Sequence, residues 1–252
     1  GCGIGALDHV YLQLAEKEGD EFELLPFTCI VDPERLKMLM PEPEELNLPS
    51  ELRFLLDAQM REAELIVLNK TDAIGPEQRE KCLGLIRTLF PDTPLMSMSA
   101  KTGEGVGAVA DYILSHRSAA EHREIGYGSE AFIAAESRLS WYNRRVYFER
   151  RDGANIDFNA VLTDIFEVIR TGLKAAGGNV PHLKIFAAGE GPDYFKASLT
   201  GVDYGVEYDR LFDGRYTALS VIINARAAAG AEAMCAAADG ALDAAAEKHG
   251  LR

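Results

Sequence analysis

No stretch of the 252 residues approaches the roughly 18 consecutive apolar positions of a membrane span. No secretory leader is visible at the amino end. On that reading the chain is expected to be cytoplasmic and to have no membrane partner. Cysteine is scarce. Its four residues, Cys2, Cys29, Cys82 and Cys235, are widely scattered and form no CxxC pair, and Cys29 and Cys82 sit in apolar surroundings as small core residues. Positive charge also runs short: 26 Lys and Arg stand against 40 Asp and Glu, a net charge of −14. The deficit is −10 over residues 1–120 and −4 over 121–252. Neither half offers the basic field that non-specific binding of a phosphate backbone requires, so nucleic acid is not an expected partner. Small anions remain within reach, because backbone amides bind them without net positive charge. Methionine is absent from position 1, where Gly1 stands, and the chain is therefore expected to begin inside a longer protein.

What is present suits a folded, water-soluble core. Hydrophobic residues make up 47% and charged residues 26%, and the length suits one large domain or two ordinary ones. From Phe22 to Asp32 an apolar run ends in a carboxylate, which predicts a buried strand. The Pro- and Glu-rich stretch 40–49 predicts a surface loop. Ser50 is placed to cap a helix with Leu52, Leu55, Leu56 and Met60 on one side. Leu65–Leu68 reads as a second buried strand, and Gly75–Pro76 opens a helix, since proline suits the first helical position. A short strand at 95–98 and a helix from about Glu104 to His116 follow. Strands separated by helices, each strand ending in polar residues, predict a parallel sheet.

Beyond about residue 120 the pattern changes, giving expected domains of 1–120 and 121–252. Leu139–Glu149 has strand-like spacing. Asp157 is placed to cap a long helix with Phe158, Val161, Leu162, Ile165, Phe166, Ile169 and Leu173 inward, closed by Gly177–Gly178. Three strands are expected at 182–188, 194–201 and 215–225, then an alanine-rich helix over 227–248. This α+β order suits a ferredoxin-like sandwich, although the last strand of that fold has no candidate with only Gly250–Arg252 left.

The chemistry concentrates in Asn69-Lys70-Thr71-Asp72, directly after an apolar strand. An aspartate there can accept two hydrogen bonds from guanine, at the ring N1–H and the exocyclic amine. Adenine would leave that carboxylate unpaired. The Lys70 stem can lie along the base, Asn69 can brace neighbouring loops, and ligands bind at this end of strands in open parallel sheets. Ser99-Ala100-Lys101 follows 27 positions beyond Asp72, again after a strand. The Ala100 amide is expected to donate to the guanine oxygen, and Gly103 and Gly105 let the chain turn into the next helix. Either motif alone is weak; their order and context together point to guanine.

These residues resemble the fourth and fifth signature motifs of P-loop GTPases. The stretch Gln59–Asp72, QMREAELIVLNKTD, is similar to the corresponding segment of the CobW/HypB/UreG family, and LPFTCIVDPERL before it resembles that family's strand and its following aspartate. The resemblance covers about residues 22–120 and is architectural beyond them. It implies an α/β fold: the C-terminal part of a P-loop G domain with a mostly parallel sheet, followed by a smaller α+β, ferredoxin-like domain. It also implies GTP or GDP with Mg2+, hydrolysis in an intact parent, and a client metalloenzyme or a metal or corrinoid cargo, as for CobW-like metallochaperones and cobalamin factors. A homodimer is compatible with it. The departure is that G-x-x-x-x-G-K-[ST], whose amides, Lys and Ser/Thr hold the phosphates and Mg2+, occurs nowhere. The expected chain is the base-reading half of a G domain plus its C-terminal domain, with no catalytic or metal-binding residues of its own.

Weaker features have plainer readings. Gly1-Cys2-Gly3-Ile4-Gly5 lacks the preceding strand of a dinucleotide loop, and Cys2 beside Asp8 and His9 is a lone thiol rather than a metal set. His116, Glu121, His122 and Glu124 read as an exposed linker. Arg144, Arg145, Arg150 and Arg151 read as a solvated strand face rather than a site for phosphates or an acidic partner. The competing functional class is a non-catalytic interaction module built on a GTPase fold. A translational GTPase is disfavoured, since it too needs a phosphate loop and more often carries a β-barrel.

Overall fold

The computed structural model describes residues 4–19, 21–40, 49–119, 121–189 and 191–252. Cys2 and nearly all of the 40–49 loop fall outside them. The fold is mixed α/β: a three-stranded parallel sheet in one compact unit and a five-stranded antiparallel sheet in another. The first unit comprises residues 1–46 and 50–136, the second 47–49 and 137–252. The segment 121–136, which the change of pattern assigns to the second domain, thus clusters with the first. Arg123 anchors part of it by donating to the carbonyls of Ala63 (2.6 Å) and Arg61 (3.1 Å).

In the first unit, a π-helical turn Leu7–Tyr11 leads into α1 (Leu12–Glu18). Then come β1 (Thr28–Val31), α2 (Pro33–Leu36), α3 (Leu52–Glu62), β2 (Leu65–Leu68), α4 (Pro76–Leu89), β3 (Leu95–Ser97), α5 (Val106–Ser115) and α6 (Glu130–Ser137). The sheet order is β1-β2-β3, with β2 in the centre. All four β2 side chains are fully buried, and they divide by the alternation of a strand. Ile66 and Leu68 join Met60 of α3 and Cys82, Leu83 and Ile86 of α4, whereas Leu65 and Val67 join Val109 of α5. Helices therefore cover both faces, which is why Leu-Ile-Val-Leu is an unbroken apolar run.

The helix ends follow local chemistry. Asp32 caps α2 by accepting from the Arg35 amide at 2.9 Å, and Pro76 occupies the first turn of α4. The expected cap of α3 is corrected: Glu51, not Ser50, is the N-cap residue, and the Ser50 hydroxyl donates to the Glu51 carboxylate. Glu62, at the other end of α3, is buried and accepts from the amides of Gly5 (2.9 Å) and Leu7 (2.7 Å). Burial pushes its carboxyl above the usual range, against the opposing pull of those two amides.

The second unit runs β4 (Ser140–Glu149), α7 (Phe158–Ala175), β5 (Asn179–Ala188), β6 (Tyr194–Leu199), β7 (Glu207–Arg210), β8 (Ala218–Ala228) and α8 (Ala231–His249). Its sheet order is β4-β8-β5-β6-β7, antiparallel throughout. Asp157 caps α7 through the Asn159 amide, and the seven residues expected inward are all buried. They pack with Phe195 and Val221 of the sheet and with Met234 and Ala238 of α8. The order β4-β8-β5, with α7 linking the first strand to the third and α8 following β8, is that of a ferredoxin-like sheet. The β6–β7 hairpin is inserted before β8 and widens the sheet. The strand without a sequence candidate is present in reduced form: Leu251 bridges Arg150, and the Glu149 and Arg252 backbones exchange two hydrogen bonds.

Candidate guanine-recognition site

The site residues stand at the carboxyl ends of β2 and β3, neighbours in register from Ile66–Leu95 to Leu68–Ser97. Two backbone bonds carry the sheet past its last pairs. The Met98 amide donates to the Leu68 carbonyl, and the Asn69 amide donates to the Val31 carbonyl, both at 2.8 Å. The chain then reverses at Lys70, whose φ of +59° is the only positive value at a non-glycine position among the described residues. That left-handed residue starts a tight turn, Thr71–Ala73, closed by the Ala73 amide on the Lys70 carbonyl. Thr71 is buried, and its hydroxyl donates to the Met98 carbonyl at 3.0 Å, tying the first loop to the second.

The second loop is built around Ser99, which is fully buried. Its hydroxyl donates to Asp72 Oδ1 at 2.6 Å and accepts from the Thr102 amide at 3.1 Å, so both of its roles are used. Its carbonyl accepts from the Gly103 amide, and its own amide donates to the Glu104 carbonyl. Gly105 has φ +73°, and a Cβ there would lie 2.5 Å from the Ser97 carbonyl oxygen; only glycine allows this close passage into α5.

Asp72 is exposed, and its carboxyl is held below the usual range, chiefly by the Ser99 hydroxyl, with Lys101 and Lys70 adding smaller favourable fields. The carboxylate therefore stays ionised and acceptor-only at neutral pH, with capacity beyond the single Ser99 bond. Ala100 and Lys101 are exposed beside it. The Ala100 amide, expected to serve a guanine oxygen, donates in this structure to Asn69 Oδ1 at 2.9 Å. An asparagine carbonyl is the nearest strong acceptor once Thr71 has drawn the two loops together.

Sequence reasoning did not find the brace behind the second loop. Arg79 of α4 donates to Ser97 Oγ at 2.8 Å and to Glu104 at 3.1 Å, fastening both ends of the Ser99 turn to the helix. A lone arginine on a helix face carries no signal for this. Thr102, whose hydroxyl accepts from the Glu104 amide, is equally silent in sequence.

The weaker candidates are dispersed. Asp8 pairs with His122 Nδ1 at 2.9 Å, while the His9 ring packs on Tyr127. His116 stacks on Tyr112 and bonds its carbonyl. Arg144 pairs with Asp239, Arg150 with Asp152, and Arg151 donates to the Leu251 carbonyl; Arg145 is exposed. Among the described residues no group of three or more His, Cys, Asp or Glu side chains could hold a metal ion, and no helix is long and apolar enough to cross a membrane.

No protein-family model matches the chain. Two solved structures are similar to it over 92% of its length at 14% identity: the Zn(II)-bound YjiA GTPase from E. coli, with a TM-score of 0.30, and a Zn(II)-bound triple mutant of YjiA GTPase, with a TM-score of 0.27. The chain spans 66% of the length of each of those proteins.

Proposed function

We propose that the first unit is a guanine-nucleotide-binding domain of GTPase type, in which Asp72 selects the base. The observation that carries this reading is the Asp72–Ser99 bond: an ionised carboxylate at a strand end, held in place by a buried hydroxyl from the neighbouring strand end. Lys70 and Lys101 flank it, and Asn69 holds the Ala100 amide at the edge of the site. For that amide to reach a guanine oxygen, the Asn69–Ala100 bond must open or be shared. The residues present fit the base and not the triphosphate, since no G-x-x-x-x-G-K-[ST] loop exists in the chain to cradle phosphates or Mg2+. No hydrolytic step is therefore assigned to these residues. A nucleotide-gated role in delivering a metal or corrinoid to a client enzyme extends the same proposal to a parent protein that supplies that loop.

An NMR titration of the labelled chain with GMP, AMP and XMP tests it. GMP is expected to shift the amides of Asn69–Asp72 and Ser99–Lys101, with AMP and XMP giving little. Equal shifts with GMP and AMP would overturn the base selection. Silence with all three would leave the interaction-module reading in its place.

A further inference from the structure

The second unit has a feature that the guanine reading does not use. Its helices α7 and α8 pack on one face of the antiparallel sheet, where Leu219, Val221, Ile223 and Ala225 of β8 are buried. The alternate residues form an open face in rows set by register. Trp141, Arg226 and His182 lie abreast, then Asn143, Asn224 and Lys184, then Arg145, Ile222 and Phe186, then Tyr147, Ser220 and Ala188. Large aromatic groups are left out in the open: Tyr147 is 63% exposed, Trp141 51% and Phe186 39%.

The charge on this face is unlike that of the chain. Across β4, β8 and β5 it holds three cations, Arg145, Lys184 and Arg226, and one acid, Glu149, which is bonded to Arg252. The side chains of Arg145 and Lys184 make no ion pair or hydrogen bond among the described residues, whereas Lys196 on β6 is paired with Asp209. On the helices lie Asp164 and Glu167 of α7 and Glu232, Asp239, Asp243 and Glu247 of α8, while on the sheet Glu207 and Asp209 stand on the outer strand β7, Glu207 in the row of Lys184 beyond Ser198. Net charge averages over the whole unit and so conceals the local excess of cations across β4, β8 and β5.

We infer that this open sheet face binds a short single-stranded nucleic acid, its bases stacked on Trp141, Phe186 and Tyr147 and its phosphates near Arg145, Lys184 and Arg226. Flat rings lying on a sheet, with amides between them, suit planar bases and their hydrogen-bonding edges. Rows about 7 Å apart along a strand about 34 Å long leave room for two or three bases. Arg226 already lies over the Trp141 ring, 4.7 Å from its centroid, which orients a guanidinium beside the first aromatic. A duplex hides its base faces and cannot use this surface. Because only three cations contribute, stacking rather than the phosphate backbone supplies most of the affinity, and the dependence on salt is shallow. This goes against the expectation drawn from net charge, which concerned the non-specific backbone term.

Trp141 is the only tryptophan of the chain and reports on its own site. A uridylate dodecamer is titrated while Trp141 emission is followed. A duplex of the same length and a glutamate dodecamer of similar charge serve as controls. Saturable quenching by the single strand alone is expected, with a slope of log Kd on log salt near 2. Tyr147→Ala is expected to weaken binding roughly tenfold, as is the double variant Arg145→Glu with Lys184→Glu, measured by anisotropy of a labelled strand with the fold checked by circular dichroism. Absence of quenching at millimolar strand overturns the inference. So does equal binding of the duplex, or of the glutamate peptide, which would mark the face as a dock for an acidic protein. Because the probes carry no guanine, the result stands or falls independently of Asp72.

Discussion

Ser99 and Asp72, 27 positions apart, are joined by a 2.6 Å hydrogen bond from the serine hydroxyl to Oδ1. The bond ties the two loops together, and it is the largest of the causes that hold the Asp72 carboxyl below its usual range. Asp72→Asn replaces an acceptor with a donor. It is expected to weaken GMP binding roughly tenfold or more and to improve XMP binding, since xanthine carries a carbonyl where guanine has its amine. Unchanged preference in the NMR titration would remove Asp72 from the role.

The pH dependence follows from the direction of the Asp72 shift. Its folded pKa is depressed, so the ionised state and the contribution it makes are present above the ordinary aspartate range and are lost as pH falls through the lowered value. Guanine binding should therefore survive acidification into the ordinary aspartate range. Ser99→Ala removes the largest cause of the depression and should move the loss to higher pH. Superimposable pH profiles for the parent and Ser99→Ala would contradict this account.

Glu62 has the opposite sign. Its folded pKa is raised by burial, so the stability linked to its protonated form is fully present below the ordinary glutamate value and is lost as pH rises through the folded value. Glu62→Ala leaves the Gly5 and Leu7 amides without their acceptor. Hydrogen exchange should then show faster exchange at those two amides while β2 remains protected. Unaltered exchange at Leu7 would show that the carboxylate does not hold this segment.

Gly105→Ala and Phe166→Ala probe the two units separately. The first forces a Cβ against the Ser97 carbonyl at a positive φ and should destabilise the first unit by about 1–3 kcal/mol. The second empties a fully buried site between α7 and the sheet and should cost about 3–5 kcal/mol. In urea, Trp141 emission from β4 should register the loss from Phe166→Ala and report little of Gly105→Ala. Equal shifts of the Trp141 transition in both variants would show that the units unfold together.

Strong periodicity made much of this architecture readable. The helical spacing of Phe158 to Leu173 predicted a face that is buried at every named position, and Leu65–Leu68 read as a strand because both of its faces are covered. What escaped was structure without apolar contrast. All four residues of β7, Glu207–Arg210, are exposed, and α1 contains no buried residue, so neither presents a pattern to find. The final bridge at Leu251 is too short for any periodicity. At the site, residue types and spacing located the two loops. The capture of the Ala100 amide by Asn69 and the Arg79 brace depend on distances that only the folded chain sets.

Lys70 holds a backbone conformation that costs an ordinary residue about 1–2 kcal/mol and glycine almost nothing. Lys70→Gly is accordingly expected to raise the stability of the first unit by about 1 kcal/mol while removing the side chain proposed to lie along the base. On the proposed reading of the site, thermal tolerance and ligand recognition are set against each other at a single codon. A library screened only for resistance to heat should enrich glycine at position 70 and drift away from guanine, whereas one screened for nucleotide capture should keep the lysine and accept the lower melting temperature.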